Sequence, residues 1–156
     1  MTMTNSKEQM KSDILEAMKS RDALRLSVLR MTQAALHNKE IEKRGRGEPE
    51  SLSEEETMAV LRSEVKKRKD AAAGFLKGGK VEEAGREETE MNILLGYLPP
   101  ELSQQELDQY VREALSETQA SSPKDFGKAM AVLHAKVRGR ASGGRMRDAV
   151  KIALGE

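Results

Sequence analysis

The residues best suited to chemistry with an anion lie near the chain's end, in KVRGRASGGRMR from Lys136 to Arg147. These twelve residues hold five cationic side chains and three glycines. A guanidinium is a planar fork of donors that matches phosphate oxygens, and an ammonium adds a point charge. Gly139 suits the left-handed end of one helix, and Ser142 suits the N-cap of the next. Gly143 and Gly144 would then leave the first free N–H groups of that second helix uncovered, an arrangement that favours phosphate. Cations at a helix C-terminus follow from the dipole, which accounts for Lys136 and Arg138. Arg145 and Arg147 would lie at the positive end of the next helix, where the dipole disfavours them. A basic turn and a phosphate-binding surface both remain open from these residues alone; Arg140 is common to both.

Other chemistries find little support. His37 and His134 lie far apart, and neither has a second ligand at metal spacing. Cysteine is absent, so thiolate metal sites, disulfides and a cysteine nucleophile are excluded. GFLKGGKV, Gly74 to Val81, matches the glycine and lysine spacing of a P-loop. It offers Val81 where the metal-binding hydroxyl belongs, and it follows a helix instead of a strand. It reads as a helix stop. Lys66-Lys67-Arg68-Lys69 reads as a solvated helix face, since Glu64 and Asp70 partly neutralise it at i,i+4 spacing. The carboxylates read as solvated, with Glu54-Glu55-Glu56 explained by a helix N-terminus. No catalytic residue, cofactor or metal site is expected.

The elements that must carry the basic stretch are helices. Period-2 alternation is missing, while apolar residues recur at helical spacing, which predicts an all-α fold. A Ser6-to-Gln9 capping box opens a helix with Met10, Ile14, Ala17 and Met18. A second helix from near Arg21 carries Leu24, Val28, Met31 and Ala35. A third opens at the Ser53-to-Glu56 box, carries Met58, Leu61, Val65, Ala72 and Leu76, and stops at Gly78-Gly79. The fourth runs from about Val81 to Leu98. Pro99-Pro100 breaks the chain and sets the boundary between an N-terminal four-helix bundle-like domain, residues 1–98, and a three-helix C-terminal domain, residues 99–156. In the latter, a Ser103-to-Glu106 box leads a helix with Leu107, Tyr110, Val111 and Leu115. Ser122-Pro123 opens one with Phe126, Met130, Leu133 and Val137, and Arg145 to Leu154 forms the last.

Net charge is +1, but it is unevenly divided. Residues 123–156 hold eight basic and three acidic groups, +5, and residues 1–122 hold nineteen and twenty-three, −4. That polarity suits an anionic partner for the C-terminal part. Aromatic residues are only 3%, which argues against extended stacking platforms for single strands. No apolar run reaches membrane length, and MTMTNSKEQMKSD at the N-terminus lacks the apolar core of a secretory signal. The expected setting is cytoplasmic, with no membrane partner.

Several stretches together resemble the GatB/YqeY family in its stand-alone YqeY-like form. They are LRLSVLRM (24–31), EVKKRKD (64–70), YLPPELS (97–103), FGKAM (126–130) and KVRGRAS (136–142), and the resemblance covers essentially the whole chain. It implies a two-part helical fold whose C-terminal part is similar to the tail of the tRNA-dependent amidotransferase B subunit, which helps to hold tRNA. It points to Lys128, Lys136, Arg138, Gly139, Arg140, Ala141 and Ser142 as RNA-binding positions, to which charge and helix-end geometry add Gly143, Gly144, Arg145 and Arg147. Ser142 stands where the family commonly has Asp or Asn; each can cap a helix. The expected function is non-catalytic binding of tRNA or another structured RNA. An adaptor for aminoacyl-tRNA or amidotransferase enzymes is the alternative. The family association also suggests a glutamine-dependent carbon–nitrogen ligase, for which the chain offers neither an ammonia-releasing nucleophile nor an ATP site.

Overall fold

The computed structural model describes residues 6–155, and among them the chain is all-α, as expected. Residues 1–5 of the N-terminal stretch read above lie outside the described residues. The helices are α1 (Ser6–Ser20), α2 (Ala23–Gly45), α3 (Glu54–Lys77), α4 (Val81–Leu95), α5 (Gln104–Thr118), α6 (Phe126–Val137) and α7 (Gly143–Ala153), with a 3-10 turn at Pro123–Asp125. The chain divides into two compact units, Met1–Leu98 and Pro99–Glu156.

In the first unit, α1 packs along α2, α3 along α4, and α2 against both α3 and α4. Local chemistry sets most of the ends. At α3, Ser53 Oγ accepts from the Glu56 N–H at 3.1 Å, and Glu56 Oε2 accepts from the Ser53 N–H at 2.8 Å. This reciprocal pair satisfies two donors that the first turn leaves open. The helix stops at Gly78, and Gly79 takes φ +74°, which costs glycine nothing. Asp22 caps α2 by accepting from the Arg25 N–H at 3.1 Å, so the helix expected from near Arg21 begins at Ala23. Ser6 is the first helical residue of α1, not its cap, and donates its hydroxyl to Glu54 at 2.8 Å. α4 ends at Leu95, short of Leu98, in turns at Gly96 and Tyr97.

Met10, Ile14, Val28, Leu29, Leu36, Leu61 and Leu94 form this unit's core. The expected α2 stripe is out of phase. Met31 is exposed, and the buried face runs through Val28, Leu29, Thr32, Leu36, Glu40 and Lys43. Met18 and Leu76 also face solvent. Nor are all the carboxylates solvated. Glu40 and Glu64 are buried, as are Lys43 and Arg68. Arg68 donates to Glu64 Oε2 at 3.1 Å and to Glu90 Oε2 at 3.3 Å, so it leaves the exposed lysine run and ties α3 to α4. Lys43 donates to Glu56 at 2.8 Å and to the Ser51 carbonyl at 2.9 Å. Burial of charge is tolerated because each group has charged, hydrogen-bonding partners.

The second unit has a different interior. Leu102, Leu107, Val111, Ala114, Ala129, Leu133, Val137, Ala141, Met146, Ala149, Val150 and Leu154 are buried together, with no buried charged group among the unit's described residues. Fully burying a side chain such as Leu133 or Val150 contributes about 1.5–3 kcal/mol, which a unit this small requires. α5 opens on a second reciprocal box, Ser103 with Glu106. Before α6, Asp125 Oδ2 accepts from the N–H groups of Ser121 and Ser122 at 3.0 and 3.3 Å. The Ser122-Pro123 signal therefore starts a 3-10 turn, and α6 itself begins at Phe126.

Candidate nucleic-acid interface

The basic stretch is the turn between α6 and α7. Its shape depends on two consecutive left-handed residues, Arg138 at φ +50° and Gly139 at φ +77°. Arg138, not Gly139, is the C-cap, and its N–H donates to the His134 carbonyl at 3.1 Å. The Arg140 N–H then donates to the Val137 carbonyl at 3.1 Å. On its other side, the Arg140 carbonyl accepts from the Leu102 N–H at 2.8 Å, and its Nε donates to the Pro100 carbonyl at 3.1 Å. These bonds pin the turn to the segment before α5. Ala141 is buried in the core, so it anchors the turn and offers nothing to a ligand. Ser142 caps α7 by accepting from the Arg145 N–H at 3.2 Å.

The expected bare glycine amides are modified by one contact. A Cβ at Gly143 would lie 3.4 Å from Arg147 Nη1, and one at Gly144 would lie 3.9 Å from Nη2. The Arg147 guanidinium therefore folds back along the first turn of its own helix.

The cations fall into two sets. Lys136 is held by α5: its Nζ lies 2.6 Å from Glu117 Oε1 and 3.4 Å from Glu113 Oε2. The hydrogen bond to Glu117 is the main reason that the ammonium's pKa is raised, against a smaller opposing effect of burial. Arg145 lies 3.7 Å from Glu101, and Lys128 lies 3.8 Å from Asp125. Arg138, Arg140 and Arg147 form no ion pair among the described residues; Arg140 donates to a neutral carbonyl, and its charge also acts at longer range on Glu106, helping to lower that carboxyl's pKa. The unpaired charge is thus smaller than the sequence count implies: among the described residues, Arg138 and Arg140 in the turn, Arg147 and Lys151 on α7, and Lys124 before α6 form no ion pair.

A groove of about 870 Å³ opens between α5 and α6, lined by Tyr110, Glu117, Ala131, Val132, Ala135, Lys136, Val137, Arg138 and Arg140. It brings three of the expected residues to one surface feature: Lys136, Arg138 and Arg140. Lys128 is not in the lining, but lies on α6 three and four residues before Ala131 and Val132, on the same side of the helix. Arg145 and Arg147 are outside it, on α7. Sequence reasoning missed Tyr110 and Glu117 as parts of this surface. By its spacing, Tyr110 reads as one more member of an apolar stripe. Glu117's tie to Lys136 depends on how α5 lies along α6, which residue spacing does not reveal.

Chemically, the groove offers an aromatic and alkyl lining, two guanidinium groups outside any ion pair, and a lysine shared with carboxylates. It can hold an anion by charge-assisted hydrogen bonds and a flat apolar group by contact. Among the described residues, no helix is long and apolar enough to cross a membrane.

Comparison with known proteins gives the chain its relatives. A protein of Lachancea thermotolerans named "Altered inheritance of mitochondria protein 41, mitochondrial" is 31% identical over 121 residues, covering 76% of this chain and 63% of the relative. Proteins of the same name from Vanderwaltozyma polyspora and Kluyveromyces lactis are 30% and 29% identical over 69% and 73% of the chain. The matched regions span 57% and 60% of those two proteins, so the likeness covers about six-tenths of each relative. These names overturn the expected cytoplasmic setting, because the relatives are named as mitochondrial proteins. The physical reason for the error is simple: a lack of cysteines and membrane spans does not distinguish one aqueous, reducing compartment from another. The model of the family described as "Yqey-like protein" matches residues 7–154, and the chain belongs to that family.

Proposed function

We propose that this protein is a non-catalytic RNA-binding accessory protein, which holds tRNA or another structured RNA through the turn between α6 and α7. One observation carries the reading: the groove gathers Lys136, Arg138 and Arg140, and neither arginine is held in an ion pair among the described residues. The uneven division of charge supports it, because the excess of cations lies in the same part of the chain. So does the resemblance of this part to a tail domain that helps to hold tRNA. Contacts of this kind go mainly to phosphates and to the shape of the RNA, and confer little base specificity.

The test is a titration of the full chain with tRNA at two salt concentrations. Affinity is expected to fall as salt rises, since each neutralised phosphate releases counterions. Replacing Arg138 and Arg140 together by Ala is expected to weaken binding and to reduce the slope of log affinity against log salt by about two. Absence of binding even at low salt would sink the proposal.

A second reading, a protein-interaction adaptor, draws on the first unit. Leu15, Met18 and Met31 are exposed apolar residues on α1 and α2, and Arg30 Nη2 approaches Met18 Sδ at 3.7 Å, bringing those two helices' outer surfaces together. Recovery of the same translation enzymes with the purified chain before and after nuclease treatment would favour this reading over RNA binding.

A further inference from the structure

We infer that the groove between α5 and α6 takes a single unpaired nucleotide of the RNA, with its base against Tyr110 and its phosphate at Arg138 and Arg140. The inference rests on the RNA-binding reading and makes it narrower. A surface built only to follow a phosphate backbone has no use for an apolar floor. Here Tyr110, Ala131, Val132 and Ala135 line the same groove as the arginines. Ala131, Val132 and Ala135 recur at i, i+1 and i+4 along α6, so they share one side of that helix and join Tyr110 in lining the groove.

The size also fits. At about 870 Å³, the open groove lies within the roughly 300–1,000 Å³ typical of small-ligand sites. One tyrosine provides one platform, which matches one base and not a run of stacked bases. The low aromatic content of the chain is therefore compatible with this use.

Charge fixes the orientation. Glu117 would repel a phosphate, and Lys136, 2.6 Å from it but shared with Glu113 at 3.4 Å, offsets only part of that negative charge, so the phosphate must lie at the arginine end of the groove. The positive potential that remains is at Arg138 and Arg140, next to the C-terminal end of α6. That end carries free carbonyls and a negative dipole, which the two guanidiniums must outweigh before an anion can bind. A base-paired A-form helix keeps its bases stacked inside and cannot present one to Tyr110. The occupant must come from a loop, a bulge or a chain end. An acidic peptide could answer the arginines. However, it would not need an apolar floor, and the paired backbone groups of α5 and α6 offer it no strand edge.

The experiment measures fluorescence anisotropy of the full chain with two labelled probes, an RNA hairpin with an unpaired loop and the blunt duplex of the same stem. The intact protein is expected to prefer the hairpin. Tyr110→Leu, which removes the ring but keeps an apolar side chain, is expected to reduce that preference about tenfold, and Tyr110→Phe to retain it. Tyr110 also packs on the core, so Ala135→Gln provides a second variant. Ala135 is exposed, and a neutral glutamine fills the floor without changing charge; the same loss of preference is expected. Equal affinity for both probes, with no effect of Tyr110→Leu or Ala135→Gln but weaker binding by Arg138→Ala, would overturn this inference and leave the RNA-binding reading intact. Failure to bind either probe overturns both. Saturable binding of a glutamate-rich peptide in place of the hairpin assigns the groove to a protein partner and also overturns it.

Discussion

The two units of this chain use charge in opposite ways. In the first, Glu40, Lys43, Glu64 and Arg68 are buried and paired, and they share the interior with Leu36 and Leu61. In the second, the interior is apolar among the described residues, and Arg138, Arg140 and Arg147 remain outside any ion pair there. A buried charge is committed to its partner, because separating the two leaves a desolvated ion. An exposed, uncompensated charge is available to a ligand. The first pattern is suited to fixing how helices register against one another, and the second to recognition.

The largest test of this contrast is to break the buried set. Arg68 is shared by Glu64 and Glu90. Arg68→Ala would leave two largely buried carboxylates without their common partner and is expected to destabilise the first unit by about 3–5 kcal/mol. Hydrogen exchange of the α3 and α4 amides in the full chain would report it, with α6 and α7 as the internal reference. Arg147→Ala, by contrast, removes an exposed charge and is expected to change stability by less than about 0.5 kcal/mol. Similar losses from both variants would erase the distinction.

Legibility in the sequence follows the same division between local and tertiary causes. The boxes at Ser53 and Ser103 and the glycine stop after α3 were readable because their partners lie within four residues. The phase of α2 was not. Thr32 reads as polar, but its hydroxyl is satisfied by the Val28 carbonyl at 2.8 Å, which lets it sit inside while Met31 faces out. Half of the Arg68 arrangement was readable, since Glu64 is one turn away; Glu90 belongs to another helix. At the candidate site, the cations were visible as a run. Their division into paired Lys136 and unpaired Arg138 was not, because Glu113 and Glu117 come from α5, 23 residues before Lys136 in the case of Glu113.

Acid provides an intermediate test. Three carboxyls of the first unit have pKa values lowered from the ordinary 4.5, Glu40 chiefly by its hydrogen bond from Lys7 and Glu56 chiefly by that from Lys43. For Glu64, burial pushes the pKa up, but the hydrogen bonds and charges of Lys67 and Arg68 outweigh it and the net shift is downward. A carboxyl lowered on folding contributes stability that is fully present above its unfolded value and lost as pH falls through the folded one. Below about pH 4.5, amide protection in α2 and α3 is therefore expected to decline first. In the second unit, Glu106 and Asp125 are also lowered, mainly by the backbone N–H groups of Ser103 and Ser121. Both lie at helix starts, Glu106 exposed and Asp125 half-buried, so acid should fray the first turn of α5 and the turn before α6, leaving the α6–α7 core protected. Loss of protection in α7 ahead of α3 would contradict the contrast.

The smallest effect is the most discriminating. Arg138 occupies the left-handed region, where a Cβ is disfavoured and glycine is not. Arg21 and Gln119 do the same at the ends of α1 and α5, so the conformation is an ordinary helix-ending device in this chain and does not by itself mark a binding residue. What sets Arg138 apart is its place in the groove. Arg138→Gly relieves the backbone strain and removes the charge in one step. Stability, read from a chemical denaturation midpoint, is expected to rise by up to about 1 kcal/mol, partly offset by glycine's greater freedom when unfolded. Affinity for tRNA is expected to fall, and Arg138→Lys should recover part of it without the gain in stability. Opposite signs for stability and binding would show a side chain kept at the expense of backbone comfort. A variant that gained stability and bound RNA as well as before would reduce Arg138 to a helix end and leave Arg140 and Arg147 to carry the surface.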